Sequence, residues 1–300
     1  MNARQPVDRM PSGPDRSWPF VLVFVAILVV LGWSYLAAMV VDMVPAMDMS
    51  EAGPGMAFFN EFNLFKGLPS EARAALAALC LPAGSTFGMP SPDMSAADLS
   101  KIFAMWVMMA LAMMLPSAVP MLRAYHAHVL PGPAGGTGRL MPSIMVSIGY
   151  LMVWVGYAVV ATFAQWVLSS LGTLTDMMAP ASVAFSISVL FAAGLYQFTP
   201  AKRACLNRCW YPRWFFGDAR PTAWSGLKEG VVQGWSCLGC CWAVMTVMFA
   251  VGLMNVIWIA LLGGVMALEK SIPSRVLPAA IGVVLLSWSG LLVATLLSGG

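Results

Sequence analysis

The chain has 300 residues, of which 60% are hydrophobic and 10% are charged, and its formal net charge is +3. So apolar a composition excludes a water-soluble globular protein and is typical of an integral membrane protein. The sixteen Lys and Arg residues are dispersed between the apolar runs, so the sequence has no basic patch for nucleic acid. It also has no nucleotide-binding loop, which disfavours an ATP-driven pump.

Hydropathy predicts an all-α polytopic membrane protein with a bundle of about seven transmembrane helices. The polar tail 1–18 precedes a first span, 19–41, which is too long for a signal-peptide core and is expected to stay in the membrane. A Met- and Pro-rich loop follows at 42–101, with one short helix expected from Ser70. The segment 102–300 is predicted to form a metal-binding membrane domain. Its six spans are expected at 102–122, 143–171, 183–198, 231–251, 256–268 and 276–297.

Basic residues set the predicted orientation, because Lys and Arg near span ends are retained in the cytoplasm. With seven spans and a cytoplasmic N-terminus, thirteen of the sixteen lie inside. The three outside are Lys66, Arg73 and Lys101. Joining the fifth and sixth spans would worsen this distribution, so a turn is expected at 252–255. The loop 42–101 then faces the periplasm and 199–230 the cytoplasm, which predicts a multi-pass protein of the bacterial inner membrane.

The fifth span carries a stripe of sulfur. At about 100° per residue, three cysteines and two methionines fall within roughly one third of its circumference. These are Cys237, Cys240, Cys241, Met245 and Met248. Thiols and thioethers suit a soft ion such as Cu(I) better than Mg²⁺ or Ca²⁺, so the cysteines are predicted core ligands and the methionines neighbouring ones. Trp235 and Trp242 fall on the opposite side. The alternative is packing, because Cys and Met also fill gaps between helices.

A second sulfur-rich face lies on the second span, where Met105, Met108, Met109 and Met113 share one side. Thioethers bind Cu(I) without deprotonation and cost little to bury, so Met108, Met109 and Met113 are predicted as further ligands. Met is also an ordinary flexible core residue. Sulfurs on one straight helix do not readily surround an ion tetrahedrally or trigonally, so a further ligand is expected from a facing helix. Met109 and Met113 match the depth of the cysteines in the bilayer.

Two further groups are secondary candidates for metal binding. Met47, Asp48 and Met49 form a patch on the exterior side, which is expected to feed the buried site without forming it. On the cytoplasmic side, Cys205 and Cys209 would share a helix face if the fourth span continued past Pro200. A metal or redox use of this pair is the alternative to a structural role.

For polar residues near the cytoplasmic ends of the spans, the sequence supports only less specific predictions. His126 and His128 lie at a predicted turn, where they could bind a borderline metal, although histidines in such a turn are more often solvated. Glu269 is expected to be solvated at the edge of the membrane, which makes it a weak candidate for a proton relay.

Four blocks of the chain carry a family resemblance. They are the Met-rich stretch from Trp106 to Pro120, then Tyr196 to Cys209, Gly234 to Met245, and Gly252 to Lys270. These blocks resemble the signatures of a bacterial domain-of-unknown-function family described as predicted metal-binding integral membrane proteins. The resemblance covers about residues 100–275 and implies a multi-span protein that binds a metal.

The leading interpretation is a membrane protein that binds a soft transition metal, copper foremost, for transport, delivery or homeostasis. Its expected partners are the lipid bilayer and a periplasmic metal donor or other membrane subunits. The rival is a metal-dependent membrane oxidase or oxygenase component that acts on a lipophilic substrate. A third alternative is a non-catalytic subunit of a larger membrane complex. No residue is assigned a catalytic role, so whether the protein is an enzyme stays open.

Overall fold

The computed structural model describes residues 17–46, 48–62, 95–128, 140–175, 178–212 and 222–298. These residues form nine α-helices and no β-strand. The helices are α1 (Trp18–Ala46), α2 (Ala96–His128), α3 (Leu140–Ser170), α4 (Val183–Tyr196), α5 (Pro200–Trp210), α6 (Ala223–Thr246), α7 (Met248–Val251), α8 (Val256–Ser271) and α9 (Val276–Ser298). Two short 3₁₀ helices, Met49–Ala52 and Met56–Phe62, follow α1. The helix expected from Ser70 lies outside the described residues.

Five helical segments of the described chain are long and apolar enough to cross a bilayer: α1, α2, α3, α6 together with α7, and α9. Helices α4 and α5 meet at 62° and would together make a sixth crossing. Pro200 begins α5, and the Thr199 side chain caps it by accepting from the Lys202 amide at 3.2 Å. The all-α polytopic membrane fold is therefore confirmed. The count of seven spans and the cytoplasmic N-terminus stay predictions.

Three connections meet at one end of the bundle. The turn predicted between the fifth and sixth spans is present, with Gly252 at φ +101° and Asn255 capping α8. The Leu253 amide donates to the Met178 carbonyl at 3.2 Å, and Asn255 Nδ2 donates to the Pro54 carbonyl at 2.9 Å. The segment after α1, the α3–α4 connection and the α7–α8 connection therefore share one end of the molecule.

Glycines on α6 allow it to lie directly against α3. Gly226, Gly230 and Gly234 recur every fourth residue and so share one face. A Cβ added at Gly226 would lie 2.4 Å from the Pro142 carbonyl oxygen, and one at Gly230 would lie 2.2 Å from that of Val146. Small residues at such spacing let helix backbones in a membrane approach closely. This contact sets the position of α3 beside the cysteines of α6.

Candidate metal centre

Helix α6 holds three thiols on one buried face. Cys237, Cys240 and Cys241 are spaced at i, i+3 and i+4, so their side chains project to the same side. Their Sγ atoms all lie within 4.8 Å of one another, and those of Cys240 and Cys241 are 3.4 Å apart. All three side chains are buried, whereas Trp235 and Trp242 are 62% and 41% exposed on the opposite side, as predicted. We call these cysteines the thiol cluster.

The spacing of the thiol cluster fits one soft metal ion. Metal–sulfur bonds of ~2.3 Å in a trigonal arrangement place the sulfurs about 4 Å apart. Three thiolates around Cu(I) carry two net negative charges, which are costly to bury in an apolar bundle unless a cation lies nearby.

Such a cation is present. Lys270, near the end of α8, donates from Nζ to Cys237 Sγ at 2.8 Å and to Ser117 Oγ at 2.7 Å. The Tyr150 hydroxyl lies 2.9 Å from the same sulfur and 3.2 Å from the Met114 carbonyl oxygen, to which it donates. Helices α2, α3, α6 and α8 therefore converge on Cys237, and the Lys270 ammonium offsets negative charge on its sulfur.

Helix α5 contributes a fourth sulfur. Cys209 is half-buried, and its Sγ lies 3.8 Å from that of Cys240. Cys205, one turn earlier, packs on Gly239, where an added Cβ would lie 2.5 Å from the Cys205 sulfur. The missing side chain at Gly239 thus lets α5 lie against α6. The bend at Pro200 does not separate the two cysteines, because both belong to the short helix that starts there.

A small cavity opens beside the thiol cluster. It measures about 30 Å³ and is lined by Cys209 and Cys237 together with polar side chains of four helices. These include Ser117, Tyr150, Gln233 and Lys270. A space of this size holds only one or two water molecules. The cluster therefore has polar surroundings on one side and closely packed helices on the other.

The sequence profile of the PpoB2 family, described as copper chaperone, matches residues 103–292, which is well over half of the chain. The chain belongs to this family. No curated protein and no solved structure gives a significant match. The predicted membership of a metal-binding membrane family is confirmed, and the matched region contains the thiol cluster, Cys209 and Lys270. Helix α1 lies outside it.

The methionines predicted as ligands are mostly buried in this PpoB2-family chain. The fully buried ones are Met109, Met113, Met245 and Met248. Met108 is half-buried, and its carbonyl oxygen would lie 2.8 Å from a Cβ added at Gly32 of α1. Met113 faces α8, because a Cβ at Gly263 would lie 3.3 Å from its side chain. Metal binding by these thioethers stays a prediction. In the described residues, α2 is joined to the groups around the thiol cluster by two hydrogen bonds. Tyr150 donates to the Met114 carbonyl, and Lys270 donates to Ser117.

The predicted access patch of the PpoB2-family chain is folded into a 3₁₀ turn where it is described. Met49 is fully buried, and its amide donates to Asn60 Oδ1 at 2.9 Å. Asp48 caps the turn by accepting from the Ser50 amide at 2.9 Å and from Asn60 Nδ2 at 2.7 Å. Met47 lies outside the described residues. A role of this patch in metal entry stays a prediction.

The expectation that His126 lies in a turn is wrong, whereas its placement on the cytoplasmic side stays a prediction. Helix α2 continues past Pro120 to His128, so His126 is part of the helix and is only 3% exposed. Its Nδ1 lies 2.8 Å from Ser143 Oγ of α3, and its Nε2 lies 3.2 Å from Ser17 Oγ before α1. The His126 ring therefore joins α2 to α3 through one nitrogen and to the residue before α1 through the other. The side chain of His128 lies outside the described residues, and a ligand role for either histidine stays a prediction.

The expectation that Glu269 is solvated is also wrong. Its Oε2 accepts from Lys202 Nζ at 2.8 Å, and both side chains are fully buried. Trp210 Nε1 donates to the Glu269 carbonyl at 3.0 Å. The carboxylate is buried because α5, after its bend, packs across the end of α8. This ion pair fixes α5 beside Lys270.

Sequence reasoning missed the polar groups around the thiol cluster. From the sequence, Lys270 counts as a basic residue at a span end and as the end of a family-like block, and neither it nor Tyr150 or Ser117 is given a role at the site. One signal was available, because Glu269 and Lys270 adjoin an apolar run of only 13 residues, 256–268. Adjacent acidic and basic residues at the end of so short a run can be buried against neighbouring helices.

Proposed function

We propose that this chain is a copper chaperone of the bacterial inner membrane that binds Cu(I) at Cys237, Cys240 and Cys241 and passes it to a partner. The observation that carries the proposal is the meeting of three buried thiols within 4.8 Å of one another. Membership of the PpoB2 family supports copper as the metal.

The donor set favours a soft ion such as Cu(I) over Mg²⁺ and Ca²⁺. The group of His, Cys, Asp and Glu residues that converges here in the described chain consists of thiols alone, and thiolates select soft ions. Mg²⁺ and Ca²⁺ require oxygen ligands, which the cluster does not offer. The Lys270 ammonium suits a complex that carries excess negative charge.

Delivery is preferred to active pumping because the sequence has no nucleotide-binding loop. Copper then moves down a gradient of affinity, from a donor to an acceptor. A periplasmic metal donor and other membrane subunits are the proposed partners, and transport or homeostasis are the wider roles that such exchange would serve.

The test is metal analysis of purified protein loaded with Cu(I) without oxygen. We expect about one copper per chain, with X-ray absorption showing sulfur neighbours at ~2.3 Å. Cys237→Ser, Cys240→Ser and Cys241→Ser should each lower copper occupancy. Cys205→Ser is the matched control, because Cys205 packs on Gly239 outside the cluster.

The alternatives give different results in the same preparation. A non-catalytic subunit without a metal would bind no copper. An oxidase component would consume oxygen and an added lipophilic substrate when loaded with copper, whereas a chaperone would transfer its copper to an acceptor without turnover. Full copper occupancy in the triple Cys→Ser protein would overturn the proposed site.

A further inference from the structure

We infer that Cys209 is the exchange ligand through which Cu(I) leaves the thiol cluster. The inference rests on the proposed function and assigns a separate task to a cysteine of another helix. Cys209 lies on α5, whereas the three proposed core ligands lie on α6. Its place in the fold differs from theirs in exposure and in the helix that carries it.

Access distinguishes Cys209 from the cluster. All three members of the thiol cluster are buried, whereas Cys209 is half-buried. Cys209 and Cys237 line the cavity, but Cys240 and Cys241 do not. A cavity of about 30 Å³ admits water but excludes a copper carrier or a chelator. An incoming ligand can therefore reach Cys209, which is half-buried, but cannot reach Cys240 directly.

The distance between Cys209 and Cys240 allows a direct exchange. Their sulfurs are 3.8 Å apart, close to the ~4 Å separation of two sulfurs on one trigonal ion with ~2.3 Å bonds. A Cu–S bond to Cys209 can form while the bond to Cys240 breaks. Copper remains Cu(I) throughout, so no oxidant or reductant is needed. The proton of the Cys209 thiol passes to the departing Cys240 thiolate.

The surrounding contacts hold Cys209 in place for this exchange. The ion pair of Lys202 with Glu269 fixes the start of α5, and the hydrogen bond from Trp210 to the Glu269 carbonyl fixes its end. Cys209 is the residue directly before Trp210. Its sulfur is therefore held at the edge of the cluster by two contacts to α8, rather than on a free loop.

The Cys209→Ser variant in full-length protein tests the inference. Wild-type and variant protein are loaded with Cu(I) without oxygen, mixed with excess bathocuproine disulfonate, and followed by the absorbance of the chelated copper. We expect unchanged copper per chain and a release rate at least about tenfold lower, equivalent to ~1.4 kcal/mol in the barrier. Cys205→Ser, on the same helix but away from the cavity, should release copper at the wild-type rate.

The outcomes separate the inference from the proposed function. Wild-type protein that binds no copper overturns both. Wild-type release from the Cys209→Ser variant overturns the exchange role alone. Loss of bound copper in a folded Cys209→Ser variant also overturns it, because Cys209 would then be a permanent ligand.

A measurement on the metal-free wild-type protein adds an independent check that does not depend on how the variant folds. Brief treatment with iodoacetamide, followed by peptide mass spectrometry, should modify Cys209 before any member of the thiol cluster. Equal or faster modification of Cys240 or Cys241 would overturn the inference, because the cluster would then be reachable without Cys209.

Discussion

Lys270 and Cys237 form a contact between an ammonium group and a thiol inside the helix bundle, with Nζ and Sγ 2.8 Å apart. The two residues come from α8 and α6, and Ser117 of α2 shares the same ammonium at 2.7 Å. A metal bound by several thiolates carries excess negative charge, and Lys270 is the cation placed to offset it. The strength of metal binding should therefore depend on a residue that is not itself a ligand.

Replacing Lys270 by Met keeps a long side chain and removes its charge. We expect the affinity for Cu(I) to fall about 10- to 100-fold, as for other groups that support a metal ligand without binding the metal. Competition titration against a Cu(I) chelator measures the change. Lys228→Met is the matched control, because Lys228 lies over the Trp224 ring, 5.3 Å from its centroid, rather than at the cluster. Equal affinities for the two variants would contradict the assigned role of Lys270.

The buried pair of Lys202 and Glu269 should matter for stability. Lys202→Met leaves an unpaired carboxylate in a fully buried site, and breaking such a pair costs about 3–5 kcal/mol. The double variant Lys202→Met/Glu269→Leu removes both charges and should recover most of the loss. Thermal unfolding in detergent gives the comparison.

A more exposed ion pair provides the control for that measurement. Lys101 lies 3.6 Å from Asp98, with side chains 39% and 12% exposed. Lys101→Met should change stability by about 0–1 kcal/mol. If Lys202→Met lowered stability as little as Lys101→Met, the buried pair would not anchor α5.

The close contact of α3 with α6 predicts sensitivity at one glycine. In Gly230→Ala the new methyl group would lie 2.2 Å from the Val146 carbonyl oxygen, so a backbone must shift. We expect a loss of about 1–3 kcal/mol in the free energy of unfolding. Gly156→Ala is the control, since an added Cβ there has no atom within 4 Å. Equal stability of the two variants would show that the helices can separate without cost.

The predicted thioether ligands can be tested by a double-mutant cycle. Met113→Leu keeps an apolar side chain of similar volume and removes the sulfur, so packing should change little. If Met113 and Cys237 bind one ion, Cys237→Ser and Met113→Leu each lower copper occupancy, and the double variant loses little more than the worse single one. Metal analysis of the four proteins gives the result. Independent, additive losses would indicate two separate sites.

Features that depend on local sequence could be predicted correctly. Apolar runs about 20 residues long specify membrane helices, because an apolar helix satisfies its backbone hydrogen bonds inside lipid. Gly252 and Asn255 specify the break before α8, one through a positive φ and the other as a helix cap. The spacing of Cys237, Cys240 and Cys241 puts three thiols on one face of any α-helix.

Features that depend on distant contacts were decided by the tertiary structure. Cys209 meets Cys240 across 31 residues, and Lys270 meets Cys237 across 33. Neither pairing follows from hydropathy, which gives the position of a helix along the chain but not its neighbours or its rotation. Glu269 also lies at the edge of an apolar run, where sequence alone predicts solvation. It is buried because Pro200 bends the chain and α5 then packs over α8. The sequence by itself therefore determined the long apolar helices and the sulfur stripe, whereas only helix packing decided which charges and which fourth thiol surround that stripe.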